Sequence, residues 1–112
     1  MRVLLCDDSP AARSAISRML SSDPEIRVVG KAADGTEALA QLTAFADADR
    51  PQVVLLDLEM PRMDGMTALP LLLKAAPGTA IIVASALSQR GAVATMTALR
   101  AGAVDYIPKP SA

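Results

Sequence analysis

Five side chains that lie far apart in this sequence have the types that phosphoryl chemistry uses: the carboxylates of Asp7, Asp8 and Asp57, the hydroxyl of Ser85 and the ammonium of Lys109. Carboxylates gathered within a few ångströms repel one another, and all of them stay ionised at neutral pH only beside a counter-charge. A divalent cation supplies it. The ligands on offer are hard oxygens, the chain has no histidine, and its one thiol, Cys6, sits inside an apolar run, so magnesium is favoured over zinc or copper. Next to such an ion a carboxylate can attack phosphorus and form an aspartyl phosphate, while Lys109 and Ser85 neutralise or hydrogen-bond the phosphoryl oxygens. Asp57 is assigned the attack, because it ends a central strand and opens the Met60-Pro61 loop, which should leave a free oxygen accessible; the adjacent pair Asp7-Asp8 is better placed to hold the ion. Taken singly, each residue has an ordinary explanation. An aspartate at a strand end is usually a turn or helix cap, and a lone lysine is usually a solvated surface residue. Only the constellation is specific.

Such a constellation requires elements that deliver all five groups to one rim. Short apolar runs at Val3 to Cys6, Ile26 to Val29, Val53 to Leu56, Ile81 to Ala84 and Val104 to Ile107 alternate with longer helical patterns. That alternation predicts an α/β fold, with a parallel sheet covered by helices on both faces. Ser9 caps a first helix that begins at Pro10 and carries Ala12, Ala15, Ile16, Met19 and Leu20 at helical spacing. Asp34-Gly35 opens a second, with Ala38, Leu39, Leu42 and Phe45 on one side. A third covers roughly Thr67 to Ala76, and a fourth runs roughly from Ser88 to Arg100, closed by Gly102. Pro70 lies too far inside a helix that starts at Asp64, so the third helix either begins late, near Thr67, or kinks. In an open parallel sheet all strand carboxyl ends face one edge, where ligands bind. Asp7 and Asp8 follow the first strand, Asp57 ends the third, Ser85 follows the fourth and Lys109 the fifth.

A chain of 112 residues that is 52% hydrophobic suits one domain with a real core. Its 11 basic and 12 acidic residues nearly cancel without forming a basic run, so neither nucleic acid nor an anionic membrane is an indicated partner. One cysteine forms no internal disulfide, and Cys6 reads as a small buried hydrophobe. The stretch Met1 to Ser9 is too short and too acidic for a signal peptide, and no segment reaches membrane-spanning length, so a cytoplasmic location is expected.

The site residues also carry a family resemblance along nearly the whole chain. Asp7-Asp8-Ser9, Leu55-Leu56-Asp57-Leu58-Glu59-Met60-Pro61 with Met63-Asp64-Gly65, Ser85-Ala86 and Lys109-Pro110 together resemble the receiver domains of two-component response regulators. The resemblance implies a receiver over residues 1–112, a flavodoxin-like doubly wound sheet of five parallel strands in the order 2-1-3-4-5, and phosphorylation of Asp57 by a sensor histidine kinase. It implies Mg2+ held by the side chains of Asp8 and Asp57, by Asp7 mainly through water, and by the backbone carbonyl of Glu59, with a cis bond between Lys109 and Pro110. It further implies that Ser85 and Tyr106 act as a switch: Ser85 is drawn toward the phosphoryl group, space opens beside the fifth strand, and the tyrosine ring turns inward.

Within that family, Ser21-Ser22-Asp23-Pro24-Glu25-Ile26, Glu59, and Gly102 through Ser111 are most similar to the regulatory half of chemotaxis protein-glutamate methylesterases. The implied partner is then a C-terminal methylesterase output domain. This chain is not itself the esterase, whose serine hydrolase chemistry needs a histidine. Receivers carry a fifth helix after the Lys-Pro pair, so the sequence reads as truncated before that helix, with an apolar face left open to self-association. Two alternatives remain at this point. One is the receiver of a regulator with a DNA-binding or other output. The other is a magnesium phosphatase of the haloacid-dehalogenase type, although Asp7-Asp8 lacks the Asp-x-Asp spacing of such a nucleophile.

Overall fold

The computed structural model describes residues 1–86 and 88–109. Strands β1 (Arg2–Cys6), β2 (Arg27–Ala32), β3 (Val53–Asp57), β4 (Ala80–Ser85) and β5 (Asp105–Pro108) alternate with helices α1 (Pro10–Ser21), α2 (Gly35–Ala44), α3 (Gly65–Ala75) and α4 (Gln89–Ala101). All neighbouring strands pair in parallel, in the order β2-β1-β3-β4-β5, as the resemblance implied. The period-two geometry of β1 and β3 sorts their side chains to opposite faces. Leu4, Cys6, Val54 and Leu56 pack with Ala38, Leu42, Leu69, Leu72 and Ala98 from α2, α3 and α4. Val3, Leu5 and Leu55 pack with Ile16 of α1 in a smaller second cluster, around which Ile82 and Ile107 are only half-buried. Among the described residues, helices thus cover both faces, three on one and one on the other.

The two outer strands depart most from expectation. β2 extends to Ala32, three residues past the apolar run, because Gly30, Lys31 and Ala32 still pair with Leu4, Leu5 and Cys6 after a register shift. An edge strand needs no apolar residue on its open side. β5 likewise runs on to Pro108, and a proline is tolerated there because, among the described residues, one edge of the strand has no partner to receive its missing N–H.

Side-chain caps open all four helices. Ser9 accepts from Ala12 N, Asp34 from Glu37 N, Asp64 from Thr67 N and Ser88 from Gly91 N. Phe45 is not helical but caps α2 in an extended conformation. Of the two alternatives for α3, a late start or a kink, the late start is ruled out: the helix begins at Gly65, directly after its Asp64 cap, and runs through Pro70. Pro70 is exposed, so water can reach the Met66 carbonyl that lacks its usual donor. Gly65 must start the helix because a Cβ there would lie 2.3 Å from the Asp57 carbonyl oxygen and 2.7 Å from the Leu58 Cα. This contact seats α3 against the end of β3.

Candidate functional site

The sheet delivers all five singled-out residues to its carboxyl edge. One carboxylate oxygen from each of Asp7, Asp8 and Asp57 lies within 4.8 Å of the others. Asp7 and Asp57 are 1% exposed, whereas Asp8 is open to solvent. Lys109 reaches in from the end of β5, with Nζ 2.7 Å from Asp57 Oδ2 and 3.7 Å from Asp7 Oδ1. Backbone hydrogen bonds join the rim: Asp7 N donates to the Ala32 carbonyl, Leu58 N to the Ala84 carbonyl and Lys109 N to the Ser85 carbonyl.

The expectation of an accessible oxygen on Asp57 is corrected. Its Oδ1 accepts from Glu59 N at 3.0 Å, and its Oδ2 is covered by Lys109, the one ammonium at the rim among the described residues. Burial pushes the Asp57 carboxyl up from 3.8 to about 6, against the opposing pull of Lys109 and Glu59 N–H, and the charge of Asp7 adds to the rise. Burial alone would lower the Lys109 ammonium, but its hydrogen bond to Asp57 and the charges of Asp57, Asp7 and Asp8 outweigh that and leave it raised.

Asp7 provides the test of fit for a cation. Its Oδ1 accepts from Ser9 N at 2.9 Å, yet its buried Oδ2 has no hydrogen-bond partner among the described residues. An orphaned buried carboxylate oxygen with two further carboxylates beside it, ion-paired among the described residues by Lys109 alone while Arg13 Nη1 donates to the Asp7 carbonyl, is an arrangement that fits a hard divalent cation. Cys6 behaves as expected: it is buried, and burial followed by the neighbouring charges of Asp57 and Asp34 pushes its thiol up to about 12, so it offers no thiolate ligand. The expected Lys109-Pro110 cis bond lies outside the described residues.

Ser85 is buried, and its hydroxyl is paired with that of Thr95 at 2.6 Å. Tyr106 is 53% exposed. Between them is a cavity of about 330 Å³ lined by Ser85, Thr95, Met96 and Tyr106, among others. Sequence reasoning missed Thr95; the available signal was its position on the buried stripe of α4, four residues after Gly91 and three before Ala98. It also missed Arg62, which holds a left-handed backbone conformation (φ 60°) and donates from Nε to the buried Asp34 carboxylate at 2.6 Å. With Gly35 N donating to the Met63 carbonyl, that bond fastens the loop after Asp57 to the start of α2.

Residues 3–112 match the family model of the response regulator receiver domain. The chain belongs to that family. Among curated relatives, it is 49% identical over 110 residues to a protein-glutamate methylesterase/protein-glutamine glutaminase of Shewanella oneidensis and 46% identical over 111 residues to that of Maricaulis maris. The alignments cover 98% and 99% of this chain but only 30% and 27% of those proteins. Among solved structures, the response regulator domain of Thermotoga maritima CheB superposes with a TM-score of 0.85 at 42% identity, covering 98% of this chain and 78% of that one. CheY in a CheX-CheY-BeF3-Mg2+ complex from Borrelia burgdorferi gives 0.84 at 28% identity, covering all of this chain and 80% of that one. The receiver match spans the whole acidic rim, and the phosphatase alternative finds no support.

Proposed function

We propose that this receiver accepts a phosphoryl group on Asp57 from a phosphohistidine of a sensor kinase in the cytoplasm, and thereby controls a methylesterase output domain. The observation that carries the reading is the single cluster in which Lys109 Nζ lies 2.7 Å from Asp57 Oδ2 while Asp7 and Asp8 complete the acidic group. Asp57 and Asp8 would hold Mg2+ through their side chains, Asp7 mainly through water and Glu59 through its carbonyl; when bound, the ion neutralises charge on the phosphoryl oxygens. Borrelia CheY, complexed with Mg2+ and BeF3, supports that choice of ion by likeness.

A carboxylate oxygen of Asp57 attacks phosphorus in line, and the P–N bond to the kinase imidazole breaks with its electron pair leaving on nitrogen. Lys109 shifts from Asp57 Oδ2 to a phosphoryl oxygen, a short move for a flexible four-carbon stem. Phosphorylation replaces one carboxylate charge by roughly two, which strengthens the hold on Lys109 and draws in the Ser85 hydroxyl. Tyr106 then turns into the cavity that it already borders, changing the surface of α4 and β5. In this reading, that surface is the one presented to the output domain.

Intact-mass analysis with acetyl phosphate tests the assignment. A phosphate adduct should form with Mg2+, and it should be absent from Asp57→Asn and from protein in excess chelator. An adduct that persists in either would refute it.

A further inference from the structure

Ser85 has to reach the phosphoryl group, but its hydroxyl is already engaged. Its partner is Thr95 on α4, ten residues away, and both side chains are buried, 7% and 6% exposed. The Oγ–Oγ1 separation of 2.6 Å is at the short end for a hydroxyl pair. Thr95 is within reach of the carbonyl four residues earlier, as any helical threonine is, yet it does not use it, whereas Thr97 does bond to the Val93 carbonyl. The Thr95 hydroxyl is instead turned out of its helix toward β4. Around the pair, Ala92, Met96 and Tyr106 line a largely apolar cavity, so a hydroxyl that loses its partner there finds little to replace it.

We infer that Thr95 is a positioning residue that latches the Ser85 hydroxyl in the unphosphorylated arrangement, so that breaking the Ser85–Thr95 bond is the step at which site occupancy is transmitted to α4. The inference rests on the phosphoryl-binding role proposed for Ser85. Ser85 drawn toward the phosphoryl oxygens leaves Thr95, and the vacated side of the cavity is where the Tyr106 ring is received. The latch opposes the phosphorylated arrangement by the worth of one buried neutral hydrogen bond, so its removal should favour that arrangement about fivefold. Threonine at this position therefore sets the threshold of the switch and lies outside its chemistry.

Tyr106 provides the readout, since it is the only tyrosine and the chain has no tryptophan. With Mg2+ present, beryllium fluoride is titrated as a phosphoryl mimic while tyrosine fluorescence is followed. Thr95→Val keeps the side-chain shape without the hydroxyl and should lower the half-maximal beryllium fluoride concentration about fivefold. Thr95→Ala should shift it the same way and serves if the valine variant folds poorly, and Thr95→Ser should restore the wild-type midpoint. In a Ser85→Ala background, Thr95→Val should have no effect, because the bond it removes is already gone. An unchanged or raised midpoint in both Thr95→Val and Thr95→Ala, or an equal shift with and without Ser85, would overturn the latch while leaving the site reading intact. A wild-type protein that gives no Mg2+-dependent response, or an Asp57→Asn variant that responds as the wild type does, would overturn the site reading and the latch together.

Discussion

Substituting Asp57 by Asn should make the metal-free receiver more stable, because the carboxylate is ionised in a place that disfavours its charge. The rise of its pKa from 3.8 to about 6 corresponds to about 3 kcal/mol of stability, taking 1.36 kcal/mol for each pKa unit. A carboxyl raised in the folded state contributes stability that is fully present below its unfolded value and lost as pH rises through the folded one. The loss therefore falls between about pH 4 and pH 7. Asp34, lowered first by the Glu37 N–H and then by Arg62, has the opposite sign, and its contribution is lost only as pH falls below 3.8. The raised Lys109 acts above its ordinary 10.5, so neither group obscures the window. Urea unfolding in chelator should show wild-type stability falling by ~3 kcal/mol across that window, with Asp57→Asn nearly flat and more stable than wild type by ~2–3 kcal/mol at pH 7.5. Saturating Mg2+ should reverse the wild-type trend, since the ion selects ionised carboxylates and at a hundredfold excess over its dissociation constant adds about 2.7 kcal/mol. A wild-type profile in chelator that matches that of Asp57→Asn would refute the claim that burial of this carboxylate strains the fold.

Lys109→Ala should still acquire a phosphate adduct from acetyl phosphate, more slowly, but lose the change in Tyr106 fluorescence, as intact mass and fluorescence on one sample would show. Gly65→Ala should destabilise the fold by ~1–3 kcal/mol in urea and weaken Mg2+ binding, because the added Cβ meets the Asp57 and Leu58 backbone rather than a yielding side chain. Pro70→Ala should stabilise by up to ~3 kcal/mol through a restored donor to the Met66 carbonyl. Its Mg2+ affinity, measured by calorimetry, should be unchanged, since Pro70 is exposed and lies past the turn that touches the site.

The fold was legible where one chain segment decides its own environment. Buried strands such as Val53–Asp57 are continuous apolar runs because both faces are covered, and caps such as Ser9 and Asp34 announce themselves before a periodic stretch. The outer strands were misjudged at Gly30 to Ala32 and at Pro108 because an edge strand is defined by its pairing partner and carries no composition of its own. The proline rule left a late start or a kink open for α3, and the demand that fixes the start at Gly65 is revealed only by the neighbouring backbone of Asp57. The acidic rim was legible from residue types at strand ends. Ser85–Thr95 and Arg62–Asp34 were not, since Thr95 and Arg62 look unremarkable in their own segments and meet Ser85 and Asp34 only when packed.

Lys109 ties the charge at the site to the hydroxyl pair beneath it. Its ammonium lies on Asp57 Oδ2, while its backbone N–H donates at 2.8 Å to the carbonyl of Ser85, whose side chain bonds Thr95. The anion at the end of β3, the end of β4 and the buried face of α4 are therefore linked by three consecutive contacts; in the proposed phosphorylated arrangement the Lys109 ammonium and the Ser85 hydroxyl move to the phosphoryl group, and Thr95 is left without its partner. A population inversion from 1:99 to 99:1 needs ~5.5 kcal/mol, whereas a single neutral hydroxyl bond contributes only ~1 kcal/mol. The Ser85–Thr95 bond can therefore set the threshold of the switch but not drive it. The driving force must come from charge, through the added phosphoryl charge that Lys109 and the cation answer, and this is why a rim of three crowded carboxylates is worth its cost in stability.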